Sequence, residues 1–296
     1  MHQHHCTMQK IIVPTDFSET SGTALNYASY LADATGYDLE VLHIHDGYGE
    51  TDRLVEKKGN MEARMQAQRA IDEFIRFNVD PATFTGSRDV KAGNHPLVKS
   101  REVVGSPTDA IVAASKEDDV ALIVMGGVGT GSVSTVTPVF GSVARSVAMQ
   151  AACPVFLIPP GYGKPDIRVV SVSFEKVAPL KETSDGMAFL RKALKPEMRF
   201  VHVEDANASQ EAKVELALLN TVMESDWPGY PVELDVLTAG PVSLKLTDYT
   251  LEENVDLLVL GRRTRGFFKR LFISSDTAPM LSYSAVPVLV IPIEEY

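Results

Sequence analysis

Short apolar runs alternate with amphipathic segments along the whole chain. The runs at residues 10–17, Asp38–His45 and Val120–Gly126 are bounded by turn residues, as is typical of strands buried in a parallel sheet. Between the first two runs, apolar residues recur at helical spacing, with Ser18 as the expected N-cap and Gly36 as the C-terminal stop. Because strands alternate with helices, the pattern predicts an α/β fold built on a doubly wound parallel sheet.

The same rules assign the remaining elements before residue 160. They predict helices over residues 61–77 and 107–116 and from Ser142 to about Met149, and strands over residues 98–106 and 154–159. The apolar positions of the first of these helices are Met65, Ile71, Phe74 and Ile75. The segment between residues 126 and 142 is left as a loop between a strand and a helix.

The chain contains this pattern twice. VLHIHD at residues 41–46 recurs as FVHVED at 200–205, DVALIVMG at 119–126 recurs as NVDLLVLG at 254–261, and ACPVFLIP at 152–159 recurs as AVPVLVIP at 285–292. Since matching strands keep the same order, the chain is a duplicated domain. The proline- and glycine-rich segment 159–166 is the expected linker, which predicts domains at residues 1–160 and 161–296, here called the first and second halves.

The second half repeats the order of elements. Its strands are expected over residues 167–173, 198–204, 231–238, 256–261 and 287–292, with a helix over residues 209–224 and further helices between the other strands. The last strand of each half is strongly apolar, so we expect the two last strands to be covered by each other.

Composition narrows the class of partner. With 28 basic and 39 acidic residues the net charge is −11, which argues against nucleic acid as a partner. No apolar run approaches the roughly 18 residues of a membrane span, and the first residues lack a signal-peptide core. Cys6 and Cys153 provide no disulfide framework, so we expect a cytoplasmic protein, with Cys153 buried and inert.

The loop that follows the strand Val120–Gly126 has the strongest functional pattern. It reads Gly126-x2-Gly129-x11-Gly141-Ser142 and leads into a helix. Glycines let a backbone approach a ligand closely, and the start of a helix offers N–H groups and a positive dipole to phosphate. The spacing matches neither a Walker A loop nor a dinucleotide fingerprint.

Ligands of doubly wound sheets bind beyond the carboxyl ends of the strands, where the strand order reverses. In the first half these ends supply Pro14, Thr15, Asp16, Ile44 and the loop from Met125 to Gly129. The Asp16 carboxylate can accept hydrogen bonds from an exocyclic amine or a ribose hydroxyl, although a cap or turn role is the alternative. Together these residues describe a nucleotide site without a catalytic base.

The sequence resembles the universal stress protein family. The features that carry this resemblance are VPTDFSET near the N-terminus, LHI at the end of the second strand, and MG-x2-G…GS followed by A-x-CPVFLIP. The family pattern has nine residues between its second and third glycines, whereas this chain has eleven. The resemblance covers the whole chain and implies two tandem Rossmann-like domains of the adenine nucleotide alpha hydrolase-like type. It also implies a pseudo-symmetric pair that copies the homodimer of single-domain relatives, with a further homodimer left open.

The resemblance further implies a ligand and a role. The ligand would be ATP or a related adenine nucleotide such as AMP or ADP, with Mg²⁺ able to accompany it. The residues that would hold the ligand are Pro14, Thr15, Asp16 and Ile44 at adenine, Met125, Gly126 and Gly129 near ribose and phosphates, and Gly141, Ser142 and Val143 at the phosphates. We expect a stress-response module that acts on an unknown protein partner and is not an enzyme. The alternatives are a scaffold that binds a lipid or a protein through the second half, and a slow ATPase.

The second half departs from the family pattern. Ser173 aligns with Asp16, and Thr264 and Ser274 replace the second and third glycines, although Ser275 survives. A β-branched threonine resists positive φ, so a close backbone approach at Thr264 is not expected. We therefore expect that the second half has lost the adenine acceptor and most of the phosphate loop.

Three further groups of polar residues have a simpler explanation than a site. Arg262, Arg263, Arg265, Lys269 and Arg270 are expected to be solvated loop residues. His2, His4, His5 and Cys6 are expected to be a frayed terminus, and we predict no metal site. His43 and His202 occupy equivalent strand positions and are expected to be packed residues without a catalytic role.

Overall fold

The structure is a computed structural model, and it describes residues 9–45, 56–79, 96–127, 140–163, 165–205, 209–225, 227–262, 284 and 286–293. Within these residues, ten strands form one sheet with the order β3-β2-β1-β4-β5-β10-β9-β6-β7-β8. The first-half strands are β1 (Lys10–Thr15), β2 (Asp38–His45), β3 (Val98–Val104), β4 (Val120–Gly126) and β5 (Val155–Ile158). The second-half strands are β6 (Val169–Phe174), β7 (Glu197–Val203), β8 (Glu233–Leu237), β9 (Leu257–Arg262) and β10 (Val288–Pro292).

Helices connect the strands and cover both faces of the sheet. In the described part of the first half, the helices are α1 (Glu19–Thr35), α2 (Glu56–Asn78), α3 (Pro107–Ala114) and α4 (Ser142–Gln150). The second-half helices within the described residues are α5 (Val177–Gly186), α6 (Ala188–Leu194), α7 (Gln210–Ser225) and α8 (Val242–Glu252). The α/β fold class predicted from the sequence is thus confirmed.

Helix α1 begins and ends where the sequence signals place its caps. The Ser18 hydroxyl accepts a hydrogen bond from the Ser21 N–H at 3.2 Å, which satisfies one of the helix's first donors. At the other end Gly36 has φ 77°, a left-handed conformation that glycine adopts without steric cost. Both predictions for α1 are confirmed.

The two halves have the same strand order and meet at their last strands. All strand pairs within each half are parallel, whereas β5 and β10 pair antiparallel, with Leu289 opposite Phe156 and Val288 opposite Leu157. These four side chains are fully buried. The prediction that the last strands cover each other is confirmed. The bounds predicted for the two domains stay a prediction.

The hydrophobic core continues from one half into the other on both faces of the sheet. One cluster contains Phe156 of β5 together with Leu289 of β10, and the cluster on the opposite face contains Leu157 and Val288. On the face covered by α1 and α6, the Tyr37 and Phe189 rings stack with centroids 6.2 Å apart. The halves are therefore joined through the sheet and through a helix layer.

Two elements differ from the sequence prediction. Helix α2 begins at Glu56, before the predicted start at residue 61, and Met65 on its apolar stripe is 46% exposed. The helix after β6 is broken into α5 and α6 at Met187, whose φ and ψ are −100° and 6°. Just before the break, a Cβ atom on Gly186 would collide with the Ile291 side chain, so the helix packs closely on β10 there.

No helix among the described residues is both long and apolar enough to cross a membrane.

Candidate functional site

A cavity of about 360 Å³ opens at the carboxyl ends of β1, β2 and β4. This volume lies within the roughly 300–1,000 Å³ typical of small-molecule sites. The described residues that line it are Pro14, Thr15, Asp16, Ser18, Thr20, Ser21, Ile44, Pro107, Ile111, Met125, Gly126, Gly127, Gly141, Ser142, Val143 and Ala144. The cavity therefore lies where the doubly wound topology places ligands.

The structure brings nine of the ten predicted site residues to this cavity. The tenth, Gly129, lies outside the described residues, as do residues 130–139 of the eleven-residue spacer that ends at Phe140. Gly127 belongs to the loop from Met125 to Gly129 that the sequence placed at the site. Sequence reasoning missed Ala144 and the residues contributed by the starts of α1 and α3, namely Ser18, Thr20, Ser21, Pro107 and Ile111. A signal for most of them was present, because the Ser18 cap and the Ser106-Pro107 pair mark helix starts that follow strand ends.

The starts of three helices, α1, α3 and α4, contribute residues to the cavity lining. The N-cap of α4 is Gly141, so no side chain accepts a hydrogen bond from the first N–H groups of this helix. Backbone N–H groups in the first turn of such a helix carry a partial positive charge and can bind an anion. The Gly141 N–H itself donates to the Gly127 carbonyl, which fixes where α4 begins.

Asp16 has a local role as well as a place in the cavity wall. Its Oδ1 atom accepts a hydrogen bond from the Ser18 N–H at 3.1 Å, which is the turn role that the sequence left open. The Thr15 hydroxyl lies 3.0 Å from the Ser21 hydroxyl and accepts from the Phe17 N–H at 3.0 Å. These bonds hold the β1–α1 turn in the shape that exposes Asp16 to the cavity.

Gly126 is required by packing. A Cβ atom at this position would lie 2.6 Å from the Thr20 carbonyl oxygen, so the end of β4 can approach the start of α1 only without a side chain. A Cβ atom on Gly141 would lie 3.5 Å from the Gly127 carbonyl oxygen, an ordinary contact. Packing therefore requires a glycine at position 126 but not at position 141.

Two described positions of the second half correspond to residues of the first-half cavity. Ser173, which aligns with Asp16, is 5% exposed, and its hydroxyl has no partner among the described residues. A Cβ atom on Gly261 would collide with the side chains of Thr183 and Ile293. Thr264, Ser274 and Ser275, the other positions of the altered loop, lie outside the described residues.

Arg262 is not a solvated loop residue, so that prediction was wrong. Its guanidinium donates to the Ala148 carbonyl at 3.0 Å and to the Ala151 carbonyl at 2.7 Å, at the end of α4 in the other half. Burial lowers the pKa of Arg262 below its usual range. The rest of that basic group, Arg263, Arg265, Lys269 and Arg270, lies outside the described residues.

The two strand histidines are packed as predicted. The Nδ1 atom of His43 lies 3.0 Å from the Thr15 carbonyl oxygen, and that of His202 lies 3.1 Å from the Phe174 carbonyl oxygen. The His43 ring also lies against Phe17, which follows β1, and the His202 ring lies against Phe174, the last residue of β6. This matched geometry reflects the duplication.

Cys153 is buried, as predicted, and burial raises the pKa of its thiol to about 12. Over the part of the chain that the structure describes, no group of three or more His, Cys, Asp or Glu side chains could hold a metal ion. The N-terminal group His2, His4, His5 and Cys6 lies outside those residues.

A second cavity, of about 340 Å³, lies between α5 and α7 in the second half. Apart from Lys181 and Glu215, its lining is apolar. The described residues that line it are Val177, Lys181, Glu215, Leu218, Leu219, Val222 and Trp227.

A family of known proteins shares this sequence pattern and fold. The model of the universal stress protein family matches residues 7–159 and, a second time, residues 189–292. The chain therefore belongs to the universal stress protein family.

Individual relatives match one half or the whole chain. Universal stress protein MJ0577 of Methanocaldococcus jannaschii is 24% identical over 159 residues, which are 51% of this chain and 94% of that protein. The crystal structure of a universal stress protein from Archaeoglobus fulgidus has a TM-score of 0.69 at 20% identity, and the match covers 96% of this chain and 98% of that one. This likeness shows that the tandem fold is shared.

Members of the family have been crystallised with adenine nucleotides. A universal stress protein from Archaeoglobus fulgidus is in complex with dAMP. It is 25% identical to this chain, with a TM-score of 0.33, and the match covers 51% of this chain and 96% of that one.

Proposed function

We propose that the first half binds ATP or a related adenine nucleotide, and that the bound nucleotide regulates contacts with a protein partner in a stress response. The observation that carries this proposal is the convergence of nine predicted site residues and three helix N-termini on one cavity. Membership of the universal stress protein family supports it. A cytoplasmic location is part of the same proposal.

The cavity has an apolar side and an anion-binding side. Ile44, Met125 and Ile111 provide a surface against which an adenine ring can pack, with the Asp16 carboxylate nearby to accept hydrogen bonds from the amine or the ribose. The start of α4, at Gly141 and Ser142, provides N–H groups and a positive dipole for the phosphates. A nucleotide has this same division into an apolar ring and an anionic tail.

The lining residues favour a binding module over an enzyme. Among the described residues around the cavity, Asp16 is the single carboxylate, and none is a lysine, arginine or histidine. Phosphoryl transfer ordinarily uses cationic groups, metal-holding carboxylates and a residue that orients the nucleophile. Asp16 together with the phosphates could hold Mg²⁺. A slow ATPase is the alternative, and release of inorganic phosphate from ATP would support it.

The test introduces a negative charge at the proposed phosphate end of the cavity. Ser142 is exposed and is the first residue of α4, where an acidic side chain is favourable to the helix dipole. Ser142→Asp should therefore leave thermal stability unchanged while its carboxylate repels phosphate and lowers ATP affinity about tenfold or more. Ser142→Asn, of the same size and without charge, is the matched control. Calorimetric titration with ATP and with adenosine measures both effects, and adenosine affinity should not change.

Two results would count against the proposal. The first is the absence of any heat of binding and of any rise in melting temperature when millimolar ATP is added to the wild-type protein. The second is an equal ATP affinity in Ser142→Asp and Ser142→Asn. Native mass spectrometry of the purified protein then tests the alternative, in which the apolar cavity between α5 and α7 retains a lipid or another apolar molecule.

A further inference from the structure

We propose that Arg262 of the second half is a positioning residue for the phosphate end of the first-half cavity, and that it acts through helix α4. This inference rests on the function proposed above. It assigns the second half a role in a site to which it contributes no lining residue among those described.

Helix α4 is held at its two ends by two different halves of the chain. At its start, the Gly141 N–H donates to the Gly127 carbonyl of the first half, and Gly141 and Ser142 line the cavity. At its end, the Ala148 and Ala151 carbonyls accept hydrogen bonds from the Arg262 guanidinium of the second half. Any movement of the helix along its axis would stretch one of these attachments.

The antiparallel join explains how Arg262 reaches this helix. Strand β9 runs parallel to β10, and β10 runs antiparallel to β5. The carboxyl end of β9 therefore lies at the same end of the sheet as the amino end of β5. Helix α4 ends just before β5, so its last carbonyl groups lie at that same end of the sheet. Arg262 is the last residue of β9, and its side chain therefore meets the end of α4 and not its beginning.

Arg262 stands where the second-half sequence begins to depart from the glycine-rich loop of the first half. In the repeat, DVALIVMG at 119–126 aligns with NVDLLVLG at 254–261, so Arg262 occupies the position of Gly127. The first-half residue at this position holds the start of α4 through its backbone, and the second-half residue holds the end of α4 through its side chain. Glycine has no side chain with which to return the contact. The side-chain contact that Arg262 makes is therefore not open to Gly127.

The helix needs an anchor of this kind. It has nine residues, and its N-cap is a glycine without a side-chain cap. Isolated helices shorter than about 12 residues are marginal in water. A cation at the end of a helix complements the dipole, and Arg262 does so from a half-buried position where charged hydrogen bonds are less screened by water. The planar guanidinium reaches two carbonyl groups at once, which a lysine cannot do with the same geometry.

The experiment compares ATP with adenosine in variants of the full chain. Arg262→Gln should lower ATP affinity about fivefold or more, the lower end of typical coupling between sites, and leave adenosine affinity within twofold. Arg262→Lys should recover part of the ATP affinity. The matched control is Arg168→Gln, which removes the same charge from a side chain of the second half that is 78% exposed.

The comparison separates this inference from the function on which it rests. Wild-type protein that binds ATP, together with Arg262→Gln whose ATP affinity is unchanged, would overturn the positioning role alone. An equal loss for ATP and adenosine would also overturn it, because general destabilisation affects both ligands. Wild-type protein that binds no ATP would overturn the proposed function and this inference together. Should Arg262→Gln not fold, Arg262→Lys against Arg168→Lys provides the same comparison with full charge.

Discussion

At the scale of single residues, the two glycines Gly126 and Gly141, which lie on either side of the glycine-rich loop, are not equivalent. Gly126 lets the backbone of β4 approach the start of α1, and this need is structural whether or not a ligand binds. Gly141 has φ −67° and ψ 174°, which any residue can adopt. Loss of binding after substitution at Gly126 would therefore say little about the ligand.

We expect Gly126→Ala to destabilise the protein by about 1–3 kcal/mol, because the added Cβ forces the start of α1 away from β4. Gly141→Ala should change the free energy of unfolding by less than about 0.5 kcal/mol. Urea unfolding followed by circular dichroism measures both values. Equal destabilisation by the two variants would contradict the packing explanation.

The sequence predicted those site residues whose meeting follows from the topology of the sheet alone. Pro14 and Ile44 lie at the carboxyl ends of strands and Asp16 directly follows one. Because the doubly wound topology brings these strand ends together, their meeting was predictable. The role of Arg262 was not, because its acceptors Ala148 and Ala151 lie more than 100 positions away and in the other half. Hydrophobic periodicity carries no information about such a contact.

At the scale of elements, a network of charged side chains ties the amino ends of the first-half strands together. The Lys10 ammonium of β1 lies 3.0 Å from the Glu40 carboxylate, 2.8 Å from that of Glu117 and 3.3 Å from that of Asp119. Arg101 of β3 pairs with Glu117 at 2.7 Å and also with Glu40. The network lies at the opposite edge of the sheet from the cavity.

This network predicts a dependence of stability on pH. Burial alone would raise the pKa of Glu117, but hydrogen bonds from Lys10 and Arg101 outweigh it and hold the pKa below its usual range. A depressed carboxyl pKa stabilises the fold above the unfolded pKa of about 4.3, and this contribution is lost as pH falls through the folded pKa. Since Glu117 is partly exposed, the contribution is about 1 kcal/mol at most.

We therefore expect Glu117→Gln to be less stable than wild type at pH 7 and to lose less stability between pH 5 and pH 3. The exposed Glu252 of α8 provides the control, because Glu252→Gln should follow the wild-type pH profile. Urea unfolding at a series of pH values measures the difference. Parallel profiles for Glu117→Gln and wild type would contradict the network's contribution.

Elements were predictable to the extent that their apolar pattern defined them. Strand β4 has the bounds that its apolar run predicted, Val120–Gly126. The first turn of α2 contains Glu56 and other polar residues without apolar spacing, so hydrophobic periodicity could not detect it. The break between α5 and α6 lies beside the close contact of Gly186 with Ile291 of β10, and local sequence contains no sign of that contact.

At the scale of the whole molecule, the two halves share one sheet and two hydrophobic clusters that extend across it. The pair Phe156 and Leu289 lies at the centre of this join, fully buried. Separate unfolding of one half would expose these apolar surfaces to water. The molecule should consequently unfold as one cooperative unit.

The single tryptophan, Trp227, belongs to the second half and provides a local probe. We expect its fluorescence and the far-ultraviolet circular dichroism to change at the same urea concentration. Phe156→Ala is a first-half substitution, but it should lower the free energy of unfolding reported by both probes by about 3–5 kcal/mol. A Trp227 transition that stays unshifted in Phe156→Ala would show that the halves unfold independently.

The contact between Arg262 and α4 also bears on why two such domains occur in one chain. A symmetric pair of identical subunits joined through the same strand must carry the same residue at equivalent positions. Glycine in both copies would leave the end of α4 without its anchor, whereas arginine in both would place a long cationic side chain at Gly127, in the wall of the cavity. Duplication within one chain removes this constraint. Under the proposed function, one copy can then bind the ligand while the other holds helix α4 in place.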